Sequence, residues 1–111
     1  MQDCLFCKII AGEIPSKKVY EDDYVYAFED IDKQAPIHVV VVPKKHFKNV
    51  TQVDDYDVVA KIFSAINKIV AQQNIDSGFR VVCNTGADGG QTVEHLHFHL
   101  LAGRKFSWPA G

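Results

Sequence analysis

Three of the five histidines stand at alternate positions near the C-terminus, as His95, His97 and His99. A period of two is typical of a β-strand, in which successive side chains point to opposite faces. The three imidazoles would then share one surface, about 6.6–7 Å from one to the next, while the apolar residues between them face the core. A solvated strand face can use many polar residue types. The repeated choice of histidine therefore predicts a functional site rather than an incidental polar face.

The loop that precedes these histidines indicates which chemistry they carry. A neutral imidazole can be a nucleophile, a general acid or base, or a metal ligand near neutral pH. Before the histidines, Gly89 and Gly90 permit backbone conformations in which successive N–H groups cradle an anion, and Gln91 and Thr92 add side-chain donors. No Gly-Lys-Ser/Thr follows, so this is not a P-loop. By itself the stretch is more commonly a tight turn, but beside three imidazoles it predicts attack on phosphorus.

The cysteines suggest a second site, for a metal ion. Cys4 and Cys7 form a Cys-x-x-Cys pair, and His46 follows at some distance. Thiolate and imidazole ligands suit tetrahedral Zn²⁺. A redox-active pair would follow a strand in a βαβ unit, which is missing here. Two unpaired cysteines on a short helix remain the alternative, and Cys83, within an apolar stretch, is expected in the core.

Hydrophobic periodicity predicts the elements that position these residues. Apolar residues at helical spacing predict a short helix over residues 4–11 and a long amphipathic helix over residues 57–73. The predicted strands are residues 18–21, 24–28, 38–42, 79–83 and 93–101. In this order they predict an α+β fold, with an antiparallel sheet of about five strands and both helices packed on it. Residues 1–111 are predicted to form a single domain.

The composition excludes several classes of protein. With 47% hydrophobic and 23% charged residues, the chain is typical of a globular protein. A net charge of −2 leaves no electrostatic footprint for nucleic-acid binding. No apolar run approaches the length needed to span a membrane, and no signal peptide is recognisable. Because three cysteines do not suggest a disulfide framework, we expect a cytoplasmic protein.

The segment from His95 to Leu101 resembles the histidine triad (HIT) motif of nucleotide hydrolases and transferases. The resemblance continues along nearly the whole chain, in the same order, and is to the Hint branch, the purine nucleoside phosphoramidases. The matching segments are Phe6 with Lys8-Ile9-Ile10, Glu13-Ile14-Pro15-Ser16, Phe28-Glu29-Asp30-Ile31, Gln34-Ala35-Pro36-Ile37-His38, Pro43-Lys44-Lys45-His46, Asp88-Gly89-Gly90-Gln91 and Trp108-Pro109. The resemblance implies the HIT fold.

The resemblance also implies a mechanism. His97, the middle histidine of the triad that His95 begins, would attack the α-phosphorus of a nucleotide and form a nucleotidyl-histidine intermediate. Water would then release the nucleoside monophosphate. His99 would bind phosphate oxygens and assist proton transfer. His38 would orient the nucleophile, although a lone histidine at the start of an apolar strand is more often structural.

The nucleotide pocket is implied in the same way. Asn84, Gly90, Gln91 and Thr92 match positions that hold the phosphate or surround the leaving group. Asp30 matches the acidic residue that accepts hydrogen bonds from the ribose hydroxyls. The expected apolar slot for the base consists of Leu5, Phe6, Ile9, Phe28 and Ile31. Trp108, on a short C-terminal tail, is expected to reach the site of a partner subunit.

The resemblance to the HIT family also implies a zinc site and a dimer. Some bacterial HIT proteins, and the related galactose-1-phosphate uridylyltransferases, bind zinc through such a cysteine pair and two histidines. By position the ligands would be Cys4, Cys7, His46 and His95. This zinc would be structural, and catalysis would not require it. The resemblance implies a homodimer in which the long helix and a strand pair across a two-fold axis.

Two other functions remain open at this point. In a zinc-dependent hydrolase, His95 and His97 would bind a catalytic metal on one strand face. A nucleotide-binding regulatory protein would hydrolyse nucleotides only incidentally. The substrate is also open among an aminoacyl adenylate, another phosphoramidate and a dinucleoside polyphosphate, as is the choice between AMP and GMP derivatives.

Overall fold

The computed structural model describes residues 3–111. The elements in chain order are α1 (Leu5–Ile10), β1 (Lys18–Glu21), β2 (Val25–Glu29), β3 (Ile37–Pro43), a 3-10 turn (Val50–Gln52), α2 (Asp57–Gln72), β4 (Phe79–Val82) and β5 (Phe98–Ala102). The α+β prediction with one long and one short helix is confirmed. Only the 3-10 turn was not predicted, and most other bounds differ from the prediction by one residue at an end, as is usual where helices and strands fray.

The five strands form one antiparallel sheet in the order β1-β2-β3-β5-β4. The central strand β3 is nearly all valine, a β-branched residue that favours strands. Its successive side chains enter two different cores, because Val39 and Val41 pack on one side of the sheet and Val40 and Val42 on the other. The sequence of a strand that is buried on both faces is a nearly continuous apolar run, and the sequence of β3 has this pattern.

Each helix covers one face of the sheet. The buried stripe of α2 consists of Val58, Ile62, Ala65, Ile66 and Ile69, which pack in the larger core. On the opposite face, Phe6 and Ile9 of α1 pack with Phe28 and Val40 in the smaller core. No helix in residues 3–111 combines the length and the apolar character that crossing a bilayer requires.

The predicted histidine strand over residues 93–101 is wrong at its start, because β5 begins only at Phe98. The Leu96 N–H donates to the Phe47 carbonyl at 2.7 Å, and His95 Nε2 lies 2.9 Å from the Pro43 carbonyl. The segment before Phe98 therefore bonds to the chain that leaves β3 instead of continuing the ladder. Pro43 ends β3 and has no N–H to donate to a longer partner strand.

Candidate functional site

A cavity of about 610 Å³ opens on the face of the sheet that α1 covers. Among the residues expected from the sequence, Leu5, Phe6, Ile9, Phe28, Asp30, Ile31, Thr92, His97 and His99 line it. The helix α1 and the end of β2 supply the apolar wall, and the histidine segment supplies the reactive end. Ile31 is fully exposed at the rim, so its contribution to a base slot depends on a ligand covering it. The volume is that of a small-molecule site.

His97 is held with one ring nitrogen free. Its Nδ1 lies 2.7 Å from the His95 carbonyl, which can only accept, so Nδ1 carries the hydrogen. The other nitrogen, Nε2, then has a lone pair. Burial lowers the pKa of His97, while the His95 carbonyl and Asp30 oppose the shift, so the ring is neutral near pH 7. Phe6 packs edge-on against it at 5.0 Å between ring centroids. His97 is thus a neutral, oriented imidazole with a free lone pair on Nε2.

His38, which the resemblance places close enough to orient the nucleophile, contacts His99. In the β3–β5 ladder Val40 pairs with His99 and His38 pairs with Leu101, so the two imidazoles meet diagonally across the strands. His38 Nε2 lies 2.8 Å from His99 Nδ1. The His97 Nδ1 is meanwhile occupied by a backbone carbonyl. The contact of His38 is therefore with His99, and its expected role in orienting His97 stays a prediction.

The hydrogen bonds of His38 also decide which nitrogen of His99 carries the hydrogen. The Gln34 backbone N–H donates to His38 Nδ1 at 3.1 Å, so neutral His38 has its hydrogen on Nε2 and donates to His99 Nδ1. Neutral His99 then carries its own hydrogen on Nε2. Burial is the main cause that lowers the pKa of His99, to about 4. Since His99 lines the cavity, it can offer an uncharged donor to a phosphate oxygen.

The glycine-rich loop before the histidines is held mainly by its own hydrogen bonds. Asn84 Nδ2 donates to the Gly89 carbonyl at 2.7 Å, and the Gly86 N–H donates to Gln91 Oε1 at 3.0 Å. Gln91 Nε2 donates to the carbonyls of Lys48 at 2.8 Å and Val93 at 3.0 Å. The side-chain donors of Asn84 and Gln91 are therefore already engaged.

Four residues expected at the nucleotide lie outside the lining of this cavity, namely Asn84, Gly90, Gln91 and Trp108. Gly90 has a positive φ of 80° and so shapes the loop. Trp108 is 83% exposed on the C-terminal tail. That tail is fixed by a hydrogen bond of 2.9 Å from Arg80 to the Ser107 carbonyl. Within one chain these four residues do not line the cavity.

The two cysteines and two histidines predicted to bind zinc come together beside the cavity. The ligand atoms of Cys4, Cys7, His46 and His95 all lie within 4.8 Å of one another. His95 Nδ1 is 3.3 Å from Cys4 Sγ, 3.5 Å from Cys7 Sγ and 3.1 Å from His46 Nδ1, and Cys7 Sγ is 3.4 Å from His46 Nδ1. The tetrahedral bonds of zinc, about 2.0 Å to nitrogen and 2.3 Å to sulfur, would separate its ligands by about 3.3–3.8 Å.

The chemistry of these ligands also fits a metal ion. His95 Nε2 donates to the Pro43 carbonyl at 2.9 Å, which leaves the Nδ1 lone pair directed at the cluster. Burial and the neighbouring Cys4 raise the pKa of the Cys7 thiol to about 11, so a bound cation would be needed to keep it as a thiolate. Because the Nδ1 lone pair of His95 is directed at Cys4, Cys7 and His46, the geometry does not favour a catalytic metal shared by His95 and His97.

Sequence reasoning missed the backbone groups that orient the imidazoles. The Gln34 N–H and the carbonyls of Pro43 and His95 decide which ring nitrogens carry hydrogen. Every residue has such groups, so no residue type signals their role. Ser16 and Lys33 also line the cavity without having been expected there, and only the match at Ile14-Pro15-Ser16 pointed towards one of them.

Known proteins share the sequence pattern and the fold of this chain. A family model described as the HIT domain matches residues 11–106. The chain belongs to the HIT family. A histidine triad protein from Clostridium difficile has a solved structure with 52% sequence identity and a TM-score of 0.95, covering 98% of this chain and 97% of that one.

Two further HIT relatives have more informative names. A structure named HIT family hydrolase, from Clostridium thermocellum, is 40% identical with a TM-score of 0.96, covering 99% of this chain and 98% of that one. A Brassica juncea protein named 14 kDa zinc-binding protein is 41% identical over 98% of this chain and its own full length. The HIT fold is therefore confirmed, whereas assignment to the Hint branch stays a prediction.

Proposed function

We propose that this HIT protein hydrolyses purine nucleoside phosphoramidates, or nucleotides with a related P–N or P–O link, to nucleoside monophosphates. The observation that carries the proposal is the 2.7 Å hydrogen bond from His97 Nδ1 to the His95 carbonyl. This bond leaves Nε2 of a neutral imidazole as a nucleophile on a residue that lines the cavity. The relative named a HIT family hydrolase supports hydrolysis as the reaction class.

In the first step His97 Nε2 forms a bond to the α-phosphorus while the bond from phosphorus to the leaving amine or oxygen breaks. The leaving group takes up a proton, with His99 assisting the transfer, and the attacking water of the second step gives a proton back. His99 donates a hydrogen bond from Nε2 to a phosphate oxygen, where negative charge is concentrated. In the second step water attacks the same phosphorus, the bond to His97 breaks, and the monophosphate leaves. A covalent intermediate of this kind divides one difficult displacement into two easier ones.

The cavity supplies binding for the rest of the nucleotide. The apolar wall of Leu5, Phe6, Ile9 and Phe28 is suited to the flat face of a purine base. The carboxylate of Asp30 lines the same cavity and can accept hydrogen bonds from both ribose hydroxyls. An apolar slot recognises the shape of the base more than its edges, so we propose both AMP and GMP derivatives as substrates.

We also propose a structural zinc ion held by Cys4, Cys7, His46 and His95. Four protein ligands leave no open position for substrate, which is typical of structural zinc sites. The relative named a zinc-binding protein supports this proposal. When bound, the metal would fasten the N-terminal helix to the sheet, and His97 would react without it.

The covalent route can be tested by intact-mass spectrometry after rapid quenching. The protein is mixed with adenosine 5′-phosphoramidate, and a matched sample contains His97→Ala. We expect an added adenylate mass on the wild type, none on the variant, and turnover at least about a thousandfold slower in the variant.

Chelation distinguishes this proposal from a zinc-dependent hydrolase. Wild type depleted of zinc should still form the adenylate adduct. If His97→Ala keeps the wild-type rate and chelation abolishes it, the nucleophile proposal is wrong and a metal-activated water is the better explanation. The His95→Ala variant controls for loss of the zinc ligand without loss of the nucleophile.

A further inference from the structure

A carboxylate lies against the two histidines that the sheet brings together at the cavity. Asp30 Oδ1 accepts a hydrogen bond from the Asp32 backbone N–H at 2.8 Å, which orients the carboxylate. The other oxygen, Oδ2, lies 3.4 Å from His38 Nε2 and 4.0 Å from His99 Nδ1. The Asp30 N–H also donates to the His38 carbonyl at 3.0 Å. The loop after β2 is thereby tied to β3 where the imidazoles meet.

Two imidazoles and a carboxylate within 4.8 Å could in principle bind a divalent cation. The hydrogen bond from the Gln34 N–H to His38 Nδ1 argues against such a site. A metal ligand must present a lone pair, whereas the Nε2 of neutral His38 carries its hydrogen because Nδ1 is the acceptor. The cluster is therefore better described as a series of three hydrogen-bonded side chains, Asp30, His38 and His99.

In this hydrogen-bonded series of three side chains, Asp30 supplies the negative charge. The pKa of His99 is lowered to about 4, chiefly by burial and then by His97 and His38, while the Asp30 carboxylate raises it. Burial also lowers the pKa of His38, which Asp30 and Asp32 raise. Since Oδ2 faces both rings directly, Asp30 is the carboxylate that can balance a proton on either of them.

We propose that Asp30 is a positioning residue for His99, a role separate from any contact with ribose. It holds the His38 ring in place and stabilises a proton, taken up from water, on the His38–His99 pair when a phosphate enters. The protonated pair then lies between two anions, the Asp30 carboxylate and the phosphate. This inference rests on the proposed nucleotide chemistry and adds a second function for the residue expected to bind the sugar.

The test compares Asp30→Asn with Asp32→Asn. Asparagine has the shape of aspartate and keeps the acceptor for the Asp32 N–H, but it carries no charge. Asp32→Asn removes the same charge two residues away, at a residue that bonds to this loop through its backbone N–H and carbonyl. Asp32 raises the pKa of His38 but does not act on His99, so Asp32→Asn should leave the His99 pKa close to that of wild type.

The first readout is an NMR titration of the His99 imidazole without substrate. We expect a lower His99 pKa in Asp30→Asn than in wild type and an unchanged value in Asp32→Asn. Asp30→Glu keeps the charge one methylene further out and should bring the pKa back towards the wild-type value. A His99 pKa that is the same in wild type and Asp30→Asn overturns the proposal, as does an equally low value in Asp30→Glu.

The second readout is kcat with adenosine 5′-phosphoramidate and with its 2′,3′-dideoxy analogue, which has no hydroxyls for Asp30 to bind. We expect Asp30→Asn to lower kcat about 10-fold to 100-fold with both substrates. A loss confined to the ribose-bearing substrate would make Asp30 only a sugar-binding residue and would contradict the proposal. If the proposed function itself fails, wild type will turn over neither substrate, while the titration still reports on Asp30.

Discussion

At the scale of single residues, backbone groups give three identical side chains different hydrogen-bonding states. The carbonyls of His95 and Pro43 accept from His97 Nδ1 and His95 Nε2, so each of these rings keeps a lone pair on its other nitrogen. The Gln34 N–H has the opposite effect on His38, which becomes a donor. The proposed nucleophile, the proposed metal ligand and a hydrogen-bond donor are thus distinguished by their backbone partners rather than by residue type.

The lowered pKa of His99 predicts how stability depends on pH. Its pKa falls from 6.5 to about 4 on folding, chiefly through burial, so between these values the unfolded chain binds more protons than the folded one. The contribution of His99 to the free energy of unfolding is therefore fully present above about pH 6.5, and about 1–3 kcal/mol of it is lost as the pH falls towards 4. Denaturant unfolding of wild type and His99→Gln between pH 7 and pH 4 measures this loss.

The His99→Gln curve should be the flatter of the two. Parallel curves for wild type and His99→Gln would show that His99 does not titrate as described.

At the scale of elements, the short helix α1 belongs to both sites. Cys4 caps its N-terminus and Cys7 lies in its first turn, and both face the proposed zinc ligands. Between them, Phe6 packs edge-on against His95 at 5.9 Å and His97 at 5.0 Å. A six-residue helix is too short to be stable alone. The metal cluster and the nucleotide cavity should therefore depend on each other.

Removing zinc should weaken nucleotide binding. Without the metal, α1 loses its attachment to His46 and His95, and the apolar wall that it supplies becomes less ordered. We expect the Kd for AMP to rise about 5-fold to 10-fold in the zinc-depleted protein and in Cys7→Ala, measured by calorimetry.

The same coupling must appear in reverse, because linkage between two binding sites is reciprocal. AMP should lower the Kd for zinc by the same factor, which a competing chelator can report. Cys83→Ala is the matched control, since Cys83 packs against the other core. Equal AMP affinity with and without zinc would show that α1 stays in place unaided.

At the scale of the whole molecule, the sheet separates the two candidate sites from an exposed, partly apolar surface on α2. The outer face of α2 forms a shallow depression lined by Ala60, Phe63, Ser64, Asn67, Lys68 and Ala71. Phe63 is 43% exposed there, and β4 is an edge strand with Phe79 42% exposed. These features suit the homodimer expected from the resemblance, which stays a prediction together with the single domain and the cytoplasmic location.

A dimer predicts a particle of twice 12.4 kDa in light scattering after gel filtration. Ser64→Arg places a long charged side chain on the exposed α2 face and should shift the protein to monomer, because an isologous contact repeats the charge on both subunits. Gln72→Arg, on the same helix but outside that depression, should not. A monomer mass for wild type would contradict the dimer.

Local sequence determined the elements and their chemistry. The 3-4 spacing of apolar residues located α2, the valine run located β3, and the residue types at His95, His97, His99 and the cysteines indicated phosphorus and zinc chemistry. Each of these signals is local, because helical and strand periodicity are properties of neighbouring residues.

Only the tertiary structure decided how the imidazoles are used. The start of β5 depends on where β3 ends at Pro43, which lies 52 residues from His95. The contact between His38 and His99 depends on the register of two strands that are 61 residues apart. The hydrogen on each ring follows from backbone carbonyls, which every residue possesses, and from N–H groups, which every residue except proline possesses. Such contacts arise from chain geometry rather than from residue type, so sequence patterns carry no record of them.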